Sequence, residues 1–304
     1  MPCYSPLHGY KSKNLTETGK RKITFSRQSG LIDLVMTVPC GQCIGCRIDR
    51  SRQWALRCVH EAKLHKENCF VTLTYDDEHL PPADTLLKTD LQYFFRKLRK
   101  SGVNFRYYAC GEYGDISQRP HYHAIIFGHQ FLKDRKRHST AKNGDVVYIS
   151  ESLNKLWGNG YCTIGSFNYS SAAYVARYCM KKQMGKDAIN HTNYTRVDVD
   201  SGVLYQVAPE FALMSLKPGI GSGWYDKYKS DAFPSDFLTH QGKKHPVPRY
   251  YTEKLKKEDE TTHSKIKGKR KKQAKLLADN NTPDRLAVRE TCKKAQTSSL
   301  KRNI

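Results

Sequence analysis

The chain has 304 residues, and its 52 lysines and arginines outnumber 29 aspartates and glutamates, giving a net charge of +23. Hydrophobic residues make up 38% and the mean hydropathy is −0.71, which predicts a folded core with polar appendages. No run of about 18 apolar residues occurs, so no membrane span is expected. The charge favours a polyanion as partner, and nucleic acid is preferred to a membrane surface because the sequence shows no convincing basic amphipathic helix of the membrane-binding kind.

The first 13 residues, MPCYSPLHGYKSK, contain no apolar signal core, so secretion is not expected. Ten cysteines are therefore predicted to be reduced, some of them bound to metal. Residues 1 to about 30 are polar and predicted to be irregular. A short strand over 31–38 and an amphipathic helix over 47–65 follow.

Five strands and two helices are predicted in the middle of the chain. The strands cover 69–77, 104–114, 119–128, 145–150 and 160–167, and the helices cover 81–102 and 170–182, the second with Ser170 or Ser171 as N-cap. Because two strands are joined by a short loop, the sheet is predicted to be mainly antiparallel. The fold class is thus α+β, with a central antiparallel sheet flanked by helices.

The part of the chain beyond residue 186 gives weaker signals. Residues 186–252 contain aromatic, ordered-looking stretches without a clear element. Residues 253–304 hold 16 basic against 7 acidic side chains and are predicted to form a mobile tail, or one that is helical only when bound. No phosphate-binding loop of the G-x-x-x-x-G-K-[ST] form occurs, which argues against a nucleotide-driven motor.

A candidate metal site lies in the stretch RPHYHAIIFG, residues 119–128. His121 and His123 point to the same face of a strand because side chains alternate. If residues 105–113 and 120–128 pair antiparallel, Glu112 lies opposite His121 and becomes the third ligand. Two imidazoles and a carboxylate suit Mn²⁺ or Zn²⁺, and Mg²⁺ when a phosphate completes the shell. Two unrelated, half-buried histidines remain the alternative.

Two tyrosines four residues apart form a second candidate group. Tyr174 and Tyr178 share a helical face about 6 Å apart along the axis, and Lys182 continues that row beside Lys181. A tyrosine oxygen can attack phosphorus when a metal polarises the phosphoryl group. Packing is the usual role of such a pair, so only its combination with the histidine strand indicates catalysis.

Three cysteines recur at the C-x-x-C spacing of thiolate metal sites: Cys40, Cys43 and Cys46. Cys3 and Cys58 are candidates for a fourth ligand, and Cys3 is preferred because the amino-terminal arm can fold back. Structural Zn²⁺ is the leading interpretation, while an iron–sulfur cluster and plain buried thiols stay open.

Together, RPHYHAIIFG and YVARYCMKK resemble the two-tyrosine HUH superfamily of rolling-circle endonucleases. FVTLTYDD stands where that superfamily has its first motif. VPCGQCIGCR, RQWALRC and WYDKYKSD are similar to the replication initiators of microviruses, the gokushovirus branch in particular. The resemblance spans most of residues 1–255 and implies a ferredoxin- or RRM-like HUH core.

The chain is expected to divide into four parts, of which the basic tail lies outside the resemblance. These are a cysteine-rich region with its helix at 1–66, an HUH endonuclease core at 67–185, an extension at 186–252 and the basic tail at 253–304.

The resemblance also implies a mechanism and its site residues. One tyrosine would nick the origin of a circular phage DNA, become linked to the 5′-phosphate, and leave a 3′-hydroxyl for the host polymerase. The second would act after one round, so that a single-stranded circle is closed. Tyr174 and Tyr178 would be catalytic, with Mg²⁺ or Mn²⁺ bound by His121, His123 and Glu112.

Further contacts and partners are expected on the same basis. Arg177, Lys181 and Lys182 would contact DNA phosphates. The partners would be single-stranded and supercoiled circular origin DNA and the host helicase and polymerase, in the bacterial cytoplasm, with no membrane. A transposase or plasmid relaxase of the same superfamily is one alternative, and a non-enzymatic single-stranded DNA-binding protein is the other.

Overall fold

A computed structural model describes residues 3–114, 117–141, 144–178, 191–198 and 201–298. The described chain divides into two compact units. One unit contains the residues up to Arg50 together with those from Lys269 onward, and the other runs from Ser51 to Gly268. No described helix is both long enough and apolar enough to cross a bilayer.

The first unit contains a three-stranded antiparallel sheet near the start of the chain. Its strands are β1 (Leu7–Leu15), β2 (Arg21–Thr24) and β3 (Gly30–Val38), in the order β2-β1-β3. The prediction of irregular structure up to residue 30 is therefore wrong. Most side chains of β1 and β2 are polar and exposed, so no alternation of apolar and polar residues marks these two stretches as strands.

Eight α-helices lie within the described residues. They are α1 (Ile44–Ala62), α2 (Lys88–Lys100), α3 (Glu151–Trp157), α4 (Tyr169–Tyr178), α5 (Ser222–Tyr228), α6 (Arg249–Glu258), α7 (Glu260–Leu276) and α8 (Pro283–Ser298). The basic carboxyl-terminal region is thus helical as far as it is described, and its predicted mobility stays a prediction.

The second unit is built on a seven-stranded sheet. Its strands are β4 (Asn68–Tyr75), β5 (Arg106–Tyr113), β6 (Pro120–Phe127), β7 (Lys136–Thr140), β8 (Val146–Ile149), β9 (Gly160–Ser166) and β12 (Phe211–Met214). Their order is β12-β5-β6-β4-β9-β8-β7, and all neighbours are antiparallel. The predicted α+β class with a central antiparallel sheet is confirmed.

Two small hairpins complete the strands of the second unit. One pairs β10 (Thr195–Val197) with β11 (Leu204–Gln206), and the other pairs β13 (Phe237–His240) with β14 (Lys243–Pro246). The second hairpin packs with α5 and α6 around Trp224 and Tyr251, so much of the stretch 186–252 is folded structure.

Helices cover both faces of the large sheet. Side chains of α2 and α3, such as Phe94 and Trp157, are buried with one set of alternating strand residues, including Tyr122 of β6. On the opposite face, α1 and α4 bury Ala55 and Val175 with the other set. Because neighbouring residues of β6 alternate, His121 and His123 lie on the face that α1 and α4 cover.

The packing of α2 makes a prediction about stability. Phe94 is fully buried, whereas its neighbour Tyr93 is 54% exposed on the same helix. Phe94→Ala should lower the free energy of unfolding by about 3–5 kcal/mol, because it removes a buried ring and leaves a cavity. Urea unfolding followed by circular dichroism measures this, with Tyr93→Ala as the matched control, for which a change of less than about 1 kcal/mol is expected. Equal losses in both variants would contradict the assignment of the buried face.

Candidate metal centre and nucleophile

The candidate metal site is formed where β5 and β6 pair. The antiparallel register places Glu112 directly opposite His121, as the sequence predicted, so that geometric expectation is confirmed. Cys110 lies opposite His123, one step further along the same face. A hydrogen bond from Gly114 N to the carbonyl of Arg119, 3.0 Å long, closes the connection between the strands.

The three side chains converge on one point. Nε2 of His121 lies 2.8 Å, and Nε2 of His123 lies 3.0 Å, from the same carboxylate oxygen, Oε1 of Glu112. The candidate ligand atoms of all three residues lie within 4.8 Å of one another. Glu112 is 2% exposed and His123 is 5% exposed, so the group lies at the border of the core.

Neighbouring groups hold the outer nitrogen of each imidazole. Nδ1 of His123 lies 3.0 Å from the hydroxyl of Thr72 in β4, and Nδ1 of His121 lies 3.2 Å from the carbonyl of Arg119. Such contacts orient metal-ligating histidines and fix which nitrogen faces the ion. Neither hydrogen-bond partner was predicted from the sequence. The position of Thr72 follows from the strand register, because Thr72 lies opposite His123 where β4 pairs with β6.

The loop that carries the Arg119 carbonyl is itself anchored. The guanidinium of Arg119 forms an ion pair with Asp77 at 2.7 Å and donates to the carbonyl of Tyr75 at 3.0 Å. Both partners lie at or just beyond the end of β4. The backbone that receives the hydrogen bond from His121 is therefore tied to the neighbouring strand.

The hydrogen-bond pattern places two acceptor atoms next to each other at the point where the three side chains converge. A carbonyl oxygen only accepts, so Nδ1 of His121 carries a proton toward Arg119, and neutral His121 presents a lone pair at Nε2. This lone pair faces Oε1 of Glu112 at 2.8 Å, and two acceptors at that distance repel unless a proton or a cation lies between them. Oε2 of Glu112 is buried and has no hydrogen-bond partner among the described residues.

The carboxylate stays in the form that binds cations. Burial raises the pKa of Glu112, but the contacts with His121 and His123, in which a proton lies between ring nitrogen and carboxylate when no cation does, outweigh it and hold the pKa below its ordinary value. Two inward-facing imidazole nitrogens, an ionised carboxylate and an orphaned carboxylate oxygen together fit a divalent cation.

Tyr174 lies beside this group. Its ring meets the ring of His123 edge-on, with centroids 5.2 Å apart, and meets Phe70 in the same manner at 6.1 Å. The side chain is half-buried where α4 packs onto the sheet. The structure therefore brings one of the two predicted tyrosines next to a predicted metal ligand.

The start of α4 differs slightly from the prediction. The helix begins at Tyr169, and the side chain of Asn168 accepts a hydrogen bond from the backbone N–H of Ser171 at 2.8 Å. The prediction of Ser170 or Ser171 as N-cap is thus wrong by two or three residues. Asparagine caps as well as serine does, and the prediction did not consider Asn168.

The remaining predicted residues of this group are described only in part. Tyr178 is the last residue of α4, one helical turn beyond Tyr174, and its side chain is not among the described parts. Arg177 is exposed on the same helix. Lys181 and Lys182 lie outside the described residues, so their contact with DNA phosphates stays a prediction.

The four preferred cysteines form a second group, within the first unit. The sulfur atoms of Cys3, Cys40, Cys43 and Cys46 all lie within 4.8 Å of one another. Burial raises the pKa of the Cys43 thiol, but backbone hydrogen bonds from Cys46 and Tyr4 outweigh it and bring the pKa to about 7. The alternative ligand, Cys58, is fully buried among apolar side chains of the large core.

Comparisons with known proteins agree with these features. Residues 68–183 match the family described as replication-associated protein ORF2/G2P. The replication-associated protein VP4 of Bdellovibrio phage phiMH2K is 36% identical over 290 residues, covering 92% of this chain and 85% of that protein. The replication-associated protein ORF2 of Spiroplasma virus 4 is 35% identical over 257 residues, covering 79% and 74%.

A third relative is more distant. The replication-associated protein ORF4 of Chlamydia phage 1 is 28% identical over 230 residues, covering 72% of this chain and 54% of that protein. No solved structure matches the chain significantly.

The geometry of the histidine site predicts which side chains the affinity for Mn²⁺ depends on. The double variant His121→Ala, His123→Ala removes two of three ligands and should abolish Mn²⁺ binding at this site, as measured by electron paramagnetic resonance titration of free Mn²⁺. Thr72→Val, which removes only the hydroxyl that orients His123, should weaken binding by about 10- to 100-fold. His138→Ala, at an exposed position on β7, is the control that should bind normally. Unchanged affinity in the double variant would exclude this group as the metal site.

Proposed function

Because this chain belongs to the family of phage replication-associated proteins, we propose that it starts rolling-circle replication by nicking one strand at the origin of a circular DNA genome. The same enzyme would rejoin the strand when a round is complete. The observation that supports this proposal is the edge-on contact between Tyr174 and His123, because the three side chains Glu112, His121 and His123 could hold a divalent cation beside the phenol.

The proposed chemistry is a transesterification at phosphorus. The oxygen of Tyr174 forms a bond to the scissile phosphorus and gives up its proton, the bond to the 3′-oxygen breaks, and that oxygen takes up a proton. The products are a 5′-phosphotyrosine and a free 3′-hydroxyl. Since one phosphodiester is exchanged for another, the reverse reaction can reseal the strand without ATP.

The side chains around the phenol have separate tasks in this proposal. His121, His123 and Glu112 would hold Mg²⁺ or Mn²⁺, which when bound polarises the phosphoryl group and stabilises developing charge. Thr72 and the carbonyl of Arg119 keep the two imidazoles turned toward that ion. The packing of α4 on the sheet limits the motion of Tyr174 and so holds its ring beside the metal ligands.

A second tyrosine suits the end of a replication round. Tyr178 follows Tyr174 by one helical turn, so both residues start from the same face of α4. While one tyrosine carries the 5′-end, the other attacks the regenerated origin, and the released 3′-hydroxyl closes the circle. This alternation requires two nucleophiles within reach of one metal centre.

The wider contacts follow from charge. Arg177, Lys181 and Lys182 would bind phosphates next to the scissile one, and the lysine-rich α7 would add sequence-independent affinity. The substrate would be single-stranded or supercoiled origin DNA in the cytoplasm of the bacterial host. The host helicase and polymerase would use the unwound strand and the 3′-hydroxyl.

The two alternative functions are supported less well. A transposase or plasmid relaxase would use the same chemistry, but the relatives of this chain are replication-associated proteins of phages. A non-enzymatic DNA-binding protein would account for the charge, although it gives no reason for a buried carboxylate facing two imidazoles.

The proposal predicts a covalent protein–DNA adduct that depends on the tyrosine hydroxyls. Incubation with single-stranded origin DNA and Mn²⁺ should give a product stable to denaturing electrophoresis, with the nucleotide mapped to a tyrosine by mass spectrometry. The double variant Tyr174→Phe, Tyr178→Phe should form none, because phenylalanine keeps the rings but removes both nucleophiles. Tyr93→Phe, on a helix of the opposite face, should react like the unmodified chain. An adduct that persists in the double variant would refute the assignment.

A further inference from the structure

The cysteine group at the start of the chain has no part in the proposed nicking reaction. We propose that Cys3, Cys40, Cys43 and Cys46 bind one Zn²⁺, and that this ion takes the place of a hydrophobic core in the first unit. Three features support this assignment: the spacing of the sulfur atoms, the donors that surround them, and the scarcity of buried apolar side chains among the described residues of this unit.

The sulfur spacing fits one tetrahedral ion. Sγ of Cys3 lies 3.5 Å from Sγ of Cys40 and 3.9 Å from Sγ of Cys43. Four thiolates at a Zn–S distance of about 2.3 Å stand about 3.8 Å apart at the corners of a tetrahedron. A disulfide would require about 2.05 Å, and all four residues are free cysteines in the structure.

Backbone N–H groups point at the sulfur atoms. Cys40 receives bonds from Gln42 N at 3.4 Å and Cys43 N at 3.2 Å, Cys3 receives one from Cys40 N at 3.2 Å, and Cys43 receives one from Tyr4 N at 3.3 Å. A thiol sulfur is a weak acceptor, so four peptide donors on three sulfurs indicate thiolates. Thiolates this close together require a cation, and donors of this kind form the usual outer shell of a thiolate metal site.

The first unit has little else to hold it together. Among its described residues, 3–50 and 269–298, Leu286 is the only buried hydrophobic side chain. Large apolar residues of its three strands are mostly exposed, for example Leu15 at 58%, Ile32 at 52% and Val35 at 60%. Units of this size without a core normally need disulfides or a structural metal.

The position of the sulfur atoms shows what the ion would connect. Cys3 precedes β1 and Cys40 follows β3, next to the pair Leu7–Val38 at which the ladder of these strands ends. Cys46 lies in the first turn of α1. One ion would therefore fasten the amino-terminal arm, the end of the sheet and the start of a helix.

Elemental analysis and proteolysis test this inference. The full-length variant His121→Ala, His123→Ala, which lacks the other metal group, should retain one zinc per chain. Removing that zinc with a strong chelator should open residues 3–50 and 269–298 to trypsin, while a fragment spanning roughly 51–268 survives. Cys43→Ser should lose the zinc, whereas Cys292→Ser, at an exposed position on α8 of the same unit, should keep it.

Several results would overturn the inference. These are iron instead of zinc, a mass that shows disulfides, a full equivalent of zinc in Cys43→Ser, or an unchanged tryptic pattern after chelation. If Cys43→Ser does not fold, Co²⁺ loaded into the otherwise intact chain decides the matter. Tetrahedral thiolate coordination gives intense charge-transfer and visible bands, and their absence would refute the site.

A separate observation concerns the open part of the large sheet. Glu112, His121, Thr74 and Tyr161 lie opposite one another in sequence across β5, β6, β4 and β9. Directly opposed residues share a face, so the ring of Tyr161 starts from the same row and face as the metal group. Tyr161 is 71% exposed.

We infer, on the basis of the proposed function, that Tyr161 stacks against a base of the single-stranded DNA substrate beside the scissile phosphate. Two strand spacings separate Tyr161 from His121, about 10 Å, which is within reach of a flanking nucleotide. The nearest neighbours on this face are Thr74, opposite Tyr161 on β4, and Thr163, two residues along β9, and both are half-buried polar residues. An exposed ring above such a surface is the platform that single-stranded nucleic acid binders use.

Binding measurements in a Tyr174→Phe, Tyr178→Phe background separate this inference from catalysis. With origin oligonucleotides, Tyr161→Ala should weaken binding about 5- to 150-fold, and Tyr161→Phe should bind normally because the ring remains. Replacing one nucleotide of the oligonucleotide by an abasic one should weaken its binding to the protein that retains Tyr161. The same replacement should not weaken binding to the Tyr161→Ala variant any further. Tyr93→Ala, an exposed tyrosine on the helix layer of the other face, is the control.

Two outcomes would overturn the stacking role. One is unchanged affinity in Tyr161→Ala, and the other is an abasic penalty that persists in that variant. Failure of the proposed function would show itself differently, as the lack of a covalent adduct in the unmodified chain.

Discussion

The candidate metal site depends on one constraint, the register between β5 and β6. Side chains alternate along a strand, so shifting this pairing by one residue would turn Glu112 to the face of α2 and α3, away from both imidazoles. The register is supported from both sides, because β12 pairs with β5 and β4 pairs with β6. The central position of β5 and β6 in the sheet thus holds the Glu112 carboxylate against the imidazole nitrogens of His121 and His123. Because these atoms can all accept hydrogen bonds, their close spacing favours the binding of a cation.

The two faces of the large sheet differ in how completely helices cover them. On one face, aromatic and aliphatic side chains of α2 and α3 pack against the strands and give the sheet a rigid support. On the other face, α1 and α4 cover part of the surface, and the row that begins at the buried Glu112 ends at the exposed Tyr161. The catalytic candidates lie at the border between covered and open surface. Under the proposed function, Tyr174 on α4 would be held by packing while a strand of DNA still has access.

The local parts of this arrangement could be predicted from sequence, and the parts set by tertiary packing could not. Alternation along 119–128 and a short loop sufficed to place Glu112 opposite His121, and the C-x-x-C spacing sufficed to group the cysteines. The contact of Tyr174 with His123 depends on how α4 crosses the sheet, which no spacing in the sequence encodes. The strands within residues 7–24 escaped prediction because they bury almost nothing and so show no alternation. The N-cap was misplaced because Asn168, Ser170 and Ser171 are all suitable and only the folded backbone selects one.

The ion pair between Arg119 and Asp77 gives the metal group an unexpected sensitivity. Asp77 is almost fully exposed, so dissolved salt screens this attraction, which contributes little to overall stability. Yet the same arginine carries the carbonyl that sets the tautomer of His121. If the proposed function holds, ionic strength would act in two ways, by weakening the binding of polyanionic DNA and by loosening the loop whose carbonyl orients His121.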